Sequence, residues 1–258
     1  MKIVIQKGGA LDIELLDWAE GLVELEHRPI LWHKNDAAPF VMFQQETPQA
    51  VILFSSQLDD CIFKVIKRYN HQCKFLIYTD TTANLTELLG VHSHEKPLCS
   101  LISPTDISPC INPILCKESR EHPLDEDITY IGPYHYKVFD VMKLLPNRQI
   151  SIFGHGPWYT PNHKGVVKYS NVPGLMQKSK VILYLEDRQG WQLAYAAYYN
   201  KPCIVLPELY EKKPFYYENM IPIQENLMNK LDIEPKTISV KTNKEIAKQL
   251  LKHIKAKS

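Results

Sequence analysis

Along the chain, apolar residues fall mainly into short unbroken runs separated by stretches of helical spacing. The runs Met1–Gln6, His27–Trp32, Ala50–Ser55 and Cys73–Tyr78 have the near-continuous apolar character of strands buried on both faces. Between the first two, Leu11, Ile13, Leu15, Leu16, Trp18 and Ala19 predict a helix. Ile62, Val65, Ile66 and Tyr69 predict another over Leu58–Asn70, and Asn84 and Glu87 frame a shorter one. This β-α-β rhythm predicts a doubly wound half-domain. Residues 91–126 break it: they are rich in Pro, Ser and His, with short strands expected at Leu98–Ile102 and Ile111–Leu115.

The second half resumes the rhythm. Ile128–Ile131, Ile150–Phe153, Val166–Tyr169, Val181–Leu185 and Cys203–Leu206 read as strands. The helical stretches among them are a face of Val138, Phe139, Val141, Met142 and Leu145, a short helix over Gly174–Ser179, and one over Trp191–Tyr199. Thr237–Val240 reads as a last short strand. Thr242 and Glu245 form a capping box, and Ile246, Leu250, Leu251 and Ile254 give a closing amphipathic helix with lysines outside. The most charged segment, Lys117–Asp127, sets the expected boundary between a first domain over 1–125 and a second over 126–258.

Turn residues mark where ligands are expected. Gly8 and Gly9 follow the first run, Gly132 follows Ile131, and Gly154 and Gly156 follow Phe153. The polar break Glu186-Asp187-Arg188-Gln189-Gly190 ends one strand just before a helix begins. In an open α/β sheet this edge is where ligands bind, and a helix start presents N–H groups and a positive dipole end to an anion. A phosphate-bearing ligand is therefore expected there.

These residues also carry a resemblance. The order of a strand ending in Gly-x-Gly, a Gly-Val-Val-x-Tyr segment, a Val-Pro-x-Leu-Met helix, a hydrophobic strand, an acidic loop with glycine, and Ala-Tyr-x-x-Lys-Pro-Cys-Ile-Val resembles the donor-binding half of GT-B glycosyltransferases, nearest to group-1 and spore-maturation (CgeB-like) members. The resemblance is best over 128–207. It implies two Rossmann-like doubly wound domains facing a cleft, the first on the acceptor side and the second binding a nucleotide sugar. Many of those families carry two glutamates eight positions apart that contact the donor. Counted back from Lys201-Pro202, these positions fall on Asp187 and Tyr195. The first is a conservative variant and the second is a departure. The resemblance also brings Gly8, Gly9, Gly132 and Lys137 to the cleft, and Gln192 to a helix position that faces the donor.

With 258 residues, 45% of them hydrophobic, the chain can bury one large core or two modest ones. Thirty Lys and Arg against 29 Asp and Glu give a net charge of +1, so no global field points to nucleic acid or to an anionic membrane. No segment has the length of a membrane span, and Met1–Gly9 lacks the features of a signal peptide. Six cysteines without CxxC spacing lie mostly in or beside apolar runs, the usage of buried reduced thiols in a cytoplasmic protein. His92, His94 and Glu95 lack convincing partners nearby and read as a solvated loop, so no metal is expected.

Glycosyl transfer needs a stabilised leaving diphosphate. Gly154, Gly156, Glu186, Arg188, Gly190, Gln192 and Lys137 are the candidates for holding it and its sugar, without metal or cofactor. Asp187 is the candidate catalytic acid group of the second domain. A base from the first domain is sought among Asp12, His33, Glu46 and Asp80, with Asp12 chosen. No GxSxG, HExxH or P-loop motif offers a competing chemistry. Two other readings remain: a binding or scaffolding relative that kept the fold and lost the chemistry, as Tyr195 suggests, and a sugar-nucleotide epimerase. The donor, the acceptor and the stereochemistry are not encoded in any motif.

Overall fold

The structure is a computed structural model that describes residues 1–7, 13–79, 99–102, 110–119, 122–186, 190–213, 216–231 and 234–256. The chain divides into two units. The first is built from both Met1–Ser108 and Thr242–Ser258, the second from Pro109–Lys241. The expected division at 125/126 is thus replaced by two crossings, and the closing helix belongs with the first sheet.

The first unit holds a five-stranded sheet of β1 (Lys2–Gln6), β2 (Arg28–Trp32), β3 (Ala50–Phe54), β4 (Lys74–Tyr78) and β5 (Ser100–Ile102), in the order β2-β1-β3-β4-β5. Every pairing is parallel, with Val4 opposite both Ile30 and Val51. On one face, Val4, Val51 and Leu53 meet Met42 and Phe43 of the helix Pro39–Glu46 and Ile62, Val65 and Ile66 of the helix Asp60–Tyr69. The second of these starts where expected because Asp59 caps it, accepting from the Ile62 N–H at 2.9 Å. The helices Ile13–Glu24 and Asn243–Lys255 pack on each other, and the latter also touches β4. Gly21 makes the approach close: a Cβ there would lie 2.3 Å from the Asn243 carbonyl oxygen. The Thr242–Glu245 capping box is present, with the Glu245 carboxylate accepting from the Thr242 N–H at 2.8 Å.

The second unit repeats the plan. Its strands are β6 (Glu126–Ile131), β7 (Ile150–Phe153), β8 (Ser179–Tyr184), β9 (Cys203–Val205) and β10 (Met220–Pro222), in the order β10-β9-β8-β6-β7, again all parallel. Alternate residues feed opposite layers. Val181 and Leu183 join Ile128, Tyr130, Ile152 and the helix Lys137–Leu144 on one face. Ile182 and Tyr184 join Val172, Leu175 and the helix Trp191–Tyr198 on the other.

Three expected strands are absent. Val166–Lys168 is extended but unpaired and runs into a 3-10 turn at Tyr169–Asn171. Pro113 and the Asn112 cap, whose side chain accepts from the Ile114 and Leu115 N–H groups, turn the expected Ile111–Leu115 strand into the helix Pro113–Glu118. Thr237–Val240 forms no ladder; Ile238 and Val240 instead pack on the core. The expected helix framed by Asn84 and Glu87 lies outside the described residues.

Candidate functional site

In each unit the strand order, counted from its own first strand, is 2-1-3-4-5. Sequence reverses direction between the first and third strands, and the crevice beyond their C-terminal ends is the general ligand position of such sheets. In the second unit that point lies between β6 and β8, where Ile131-Gly132, Leu185-Glu186 and the helix Trp191–Tyr198 meet.

Gln192 joins these pieces. Its side chain is 5% exposed, and its Nε2 donates to the carbonyl oxygen of Ile131, the last residue of β6, at 2.8 Å. Among the described residues, the buried Gln192 Oε1 has no hydrogen-bond partner. The buried Gly190 precedes the helix and supplies no side-chain cap. At the end of β8, the Tyr184 hydroxyl donates to Glu186 Oε2 at 3.3 Å, and Glu186 is exposed. Tyr130 directs its hydroxyl to the Pro133 carbonyl at 2.8 Å. Burial, and secondarily the Glu186 charge, holds its ionisation well above the usual tyrosine range.

Lys137 opens the helix Lys137–Leu144 from the loop after β6, with its ammonium 4.0 Å from Glu208 in the short helix Pro207–Glu211 that follows β9. His135 Nδ1 accepts from the Lys137 N–H at 3.2 Å, which places the imidazole proton on Nε2. Burial, with the Lys137 charge, lowers the pKa of His135. This edge therefore brings a cation, two carboxylates and a buried amide together on one sheet.

The glycines after β7 serve the backbone. A Cβ on Gly154 would stand 1.7 Å from the Gly132 carbonyl oxygen. Gly156 has φ +137 and would meet the Tyr134 Cβ at 2.5 Å. Both are required for the loops after β6 and β7 to lie against each other. Their spacing signalled a tight turn, and contact with the neighbouring loop is the reason for it.

Tyr195 occupies a different environment from that edge. It is fully buried, and its hydroxyl accepts from the Asn112 N–H at 3.2 Å, fastening the segment ahead of the helix Pro113–Glu118 to the core. Asp187, Arg188, Gly8, Gly9, Asp12 and Asp80 lie outside the described residues. His33 accepts from the Asn35 N–H through Nδ1, and Glu46 pairs with Lys2 at 3.4 Å. Sequence reading passed over Glu208 and Tyr184. A proline and a carboxylate directly after the Cys203–Leu206 run was the available sign for the first. Among the described residues no group of His, Cys, Asp and Glu could hold a metal ion.

The sequence matches no protein-family model and no curated relative. In structure, the chain is similar to the glycosyltransferase SsfS6 of Streptomyces sp. SF2575, at 9% identity and a TM-score of 0.54, covering 98% of this chain and 96% of that one. It is also aligned with CalG4, the calicheamicin glycosyltransferase, at 8% identity and a TM-score of 0.43, over 99% of this chain and 90% of that one. The class defined by fold is thus α/β with two parallel-sheet Rossmann-like units, the architecture of GT-B proteins.

Proposed function

We propose that the protein is a glycosyltransferase that moves a sugar from a nucleotide-sugar donor to an acceptor. The observation that carries this reading is the full-length match of the two-unit fold to a glycosyltransferase structure. The β6/β8 switch point with its helix start agrees with it.

In this reading the donor diphosphate lies over Gly190 and the start of the helix Trp191–Tyr198, with Lys137 and Arg188 as counter-charges. The helix dipole and cations offset the charge that grows as the bond from the anomeric carbon to the phosphate oxygen breaks and the leaving diphosphate takes the electron pair. The acceptor oxygen forms the new bond and gives up its proton to a base from the first unit, for which Asp12 is the candidate. Asp187 contacts the sugar, and Gln192 holds the β6 end in place beside it. Neither a metal nor a cofactor takes part. A cytoplasmic setting, where thiols stay reduced, is supported by six cysteines without CxxC spacing.

One observation favours a second reading. Tyr195 stands where the resembled families keep an acidic donor contact, and it is buried in the core. A binding protein on the same fold would tolerate that exchange. Calorimetric and thermal-shift titration with nucleoside diphosphates and nucleotide sugars, repeated on Asp187→Ala and Gln192→Ala, separates the two. Stabilisation by a nucleotide that either substitution abolishes supports the transferase. No response to any nucleotide rejects it.

A further inference from the structure

Two loops on the second unit have a composition unlike the rest of the chain. Residues 132–136, after β6, read GPYHY, and residues 154–162, after β7, read GHGPWYTPN. Charged residues make up 23% of the chain, yet neither loop contains one. Both lie at the C-terminal edge of the sheet, and backbone bonds hold them side by side: Gly132 N–H to the Phe153 carbonyl at 2.9 Å, and Tyr134 N–H to the His155 carbonyl at 3.0 Å.

The aromatic side chains of these loops are displayed. Tyr159 is 93% exposed, Tyr136 62% and Tyr134 43%. His155, Pro133 and Pro157 are exposed among them. A single exposed tyrosine is ordinary surface. Three in two adjoining uncharged loops form a patch, and two of the three rings are backed by packing. The buried Trp158 lies beneath Tyr134, ring centroids 5.0 Å apart, and Tyr136 is stacked on His135 at 5.3 Å and 17°. His135 is itself pinned by the Lys137 N–H.

Displayed aromatic faces with hydroxyl and imidazole N–H groups at their rims suit one ligand chemistry. A pyranose ring presents an apolar C–H face that lies on an aromatic ring, and a girdle of neutral hydroxyls that exchange hydrogen bonds with tyrosine hydroxyls and a histidine N–H. A phosphate-rich ligand would need cations, and residues 132–136 and 154–162 contain none, the adjoining Lys137 being 4.0 Å from Glu208. The surface is open and spread over two loops, which fits a chain of sugars better than the slot that encloses a single nucleobase. We propose that the loops after β6 and β7 form a platform for a neutral oligosaccharide, with Tyr136 and Tyr159 as its stacking residues. The proposal goes beyond the transferase reading and does not depend on it.

The test is calorimetric titration of the whole protein, without nucleotide, with short linear oligomers of neutral hexoses and of N-acetylhexosamines. Saturable binding to at least one series is expected. Tyr136→Ala and Tyr159→Ala should each weaken it by about tenfold or more. Tyr198→Ala, which removes an exposed tyrosine from the other end of the helix Trp191–Tyr198, should leave it unchanged. Both platform side chains are largely exposed, so their loss leaves the fold intact, and unchanged melting temperatures check this. Absence of saturable binding to every oligomer overturns the proposal, as does binding that survives both platform substitutions. Nucleotide binding with no saccharide binding removes the platform and leaves the transferase. The reverse pattern removes the transferase and leaves the platform.

Discussion

At the scale of single residues, Tyr195 shows what a side chain does for the core when it stands where a charged one was expected. Its hydroxyl is the acceptor for a buried backbone N–H. Tyr195→Phe should lower stability by about 1–2 kcal/mol, because the Asn112 N–H then loses that acceptor. Tyr195→Glu should cost about 3–5 kcal/mol, since it sets a charge in a fully buried position. Chemical denaturation followed by circular dichroism reads both. Asp127 makes a pH prediction. Arg148 donates to it through Nε at 2.7 Å and through a second guanidinium nitrogen at 2.6 Å, and this bidentate pair holds its carboxyl below the usual range. A depressed folded pKa means stability that is present above the ordinary aspartate value of 3.8 and is lost as pH falls through the lower, folded value. Asp127→Asn should therefore lower stability at neutral pH by about 1–2 kcal/mol and flatten the acid limb of the stability profile. The cysteines give a third test. Burial pushes Cys73 and Cys203 up to about 12 and Cys99 up to about 11. A thiol reagent at neutral pH should modify the exposed Cys61 first and reach those three only on unfolding.

At the scale of elements, strands were legible and connections were not. Unbroken apolar runs such as Ala50–Phe54 and Val181–Tyr184 carry their own evidence, because a parallel strand covered on both faces has no polar side to confuse the pattern. Val166–Lys168 has two adjacent valines and then a lysine, and it joins no strand among the described residues, because composition does not encode partnership. Pro39–Glu46 escaped because PFVMFQQE puts its apolar residues together at one end and gives little helical period. At the candidate site, the polar break after β8 was visible as a ligand edge. The role of Gln192 in holding Ile131 was not, because a contact across 61 residues leaves no local trace. The Gly21 contact was equally hidden and makes a sharp prediction. Gly21→Ala drives a methyl group into the Asn243 carbonyl and should cost about 2–3 kcal/mol by forcing the helices Ile13–Glu24 and Asn243–Lys255 apart. A melting curve measures it, and an effect below about 0.5 kcal/mol would mean that the two helices separate easily.

At the scale of the whole molecule, the two units differ in how the chain supplies them. The second comes from one continuous segment, Pro109–Lys241, and has cores on both faces of its sheet. The first needs both Met1–Ser108 and Thr242–Ser258. A fragment of residues 109–241 should unfold cooperatively by itself, whereas residues 1–108 should do so only when a peptide of 242–258 is added. Fluorescence-monitored urea titration distinguishes the cases, and independent folding of 1–108 would show that the closing helix is dispensable. Among the described residues no helix is long and apolar enough to cross a membrane.

The split composition of the first unit sets an order of events on the ribosome. All of Pro109–Lys241 is synthesised before the helix Asn243–Lys255 that packs on Ile13–Glu24. At about 5–20 residues per second, the nascent first unit waits roughly 7–27 s with the small patch around Gly21, which faces Asn243 and Ala247 in the folded protein, uncovered. During that interval the second unit can finish folding on the same chain. Of the two units, the one begun first is thus the one completed second.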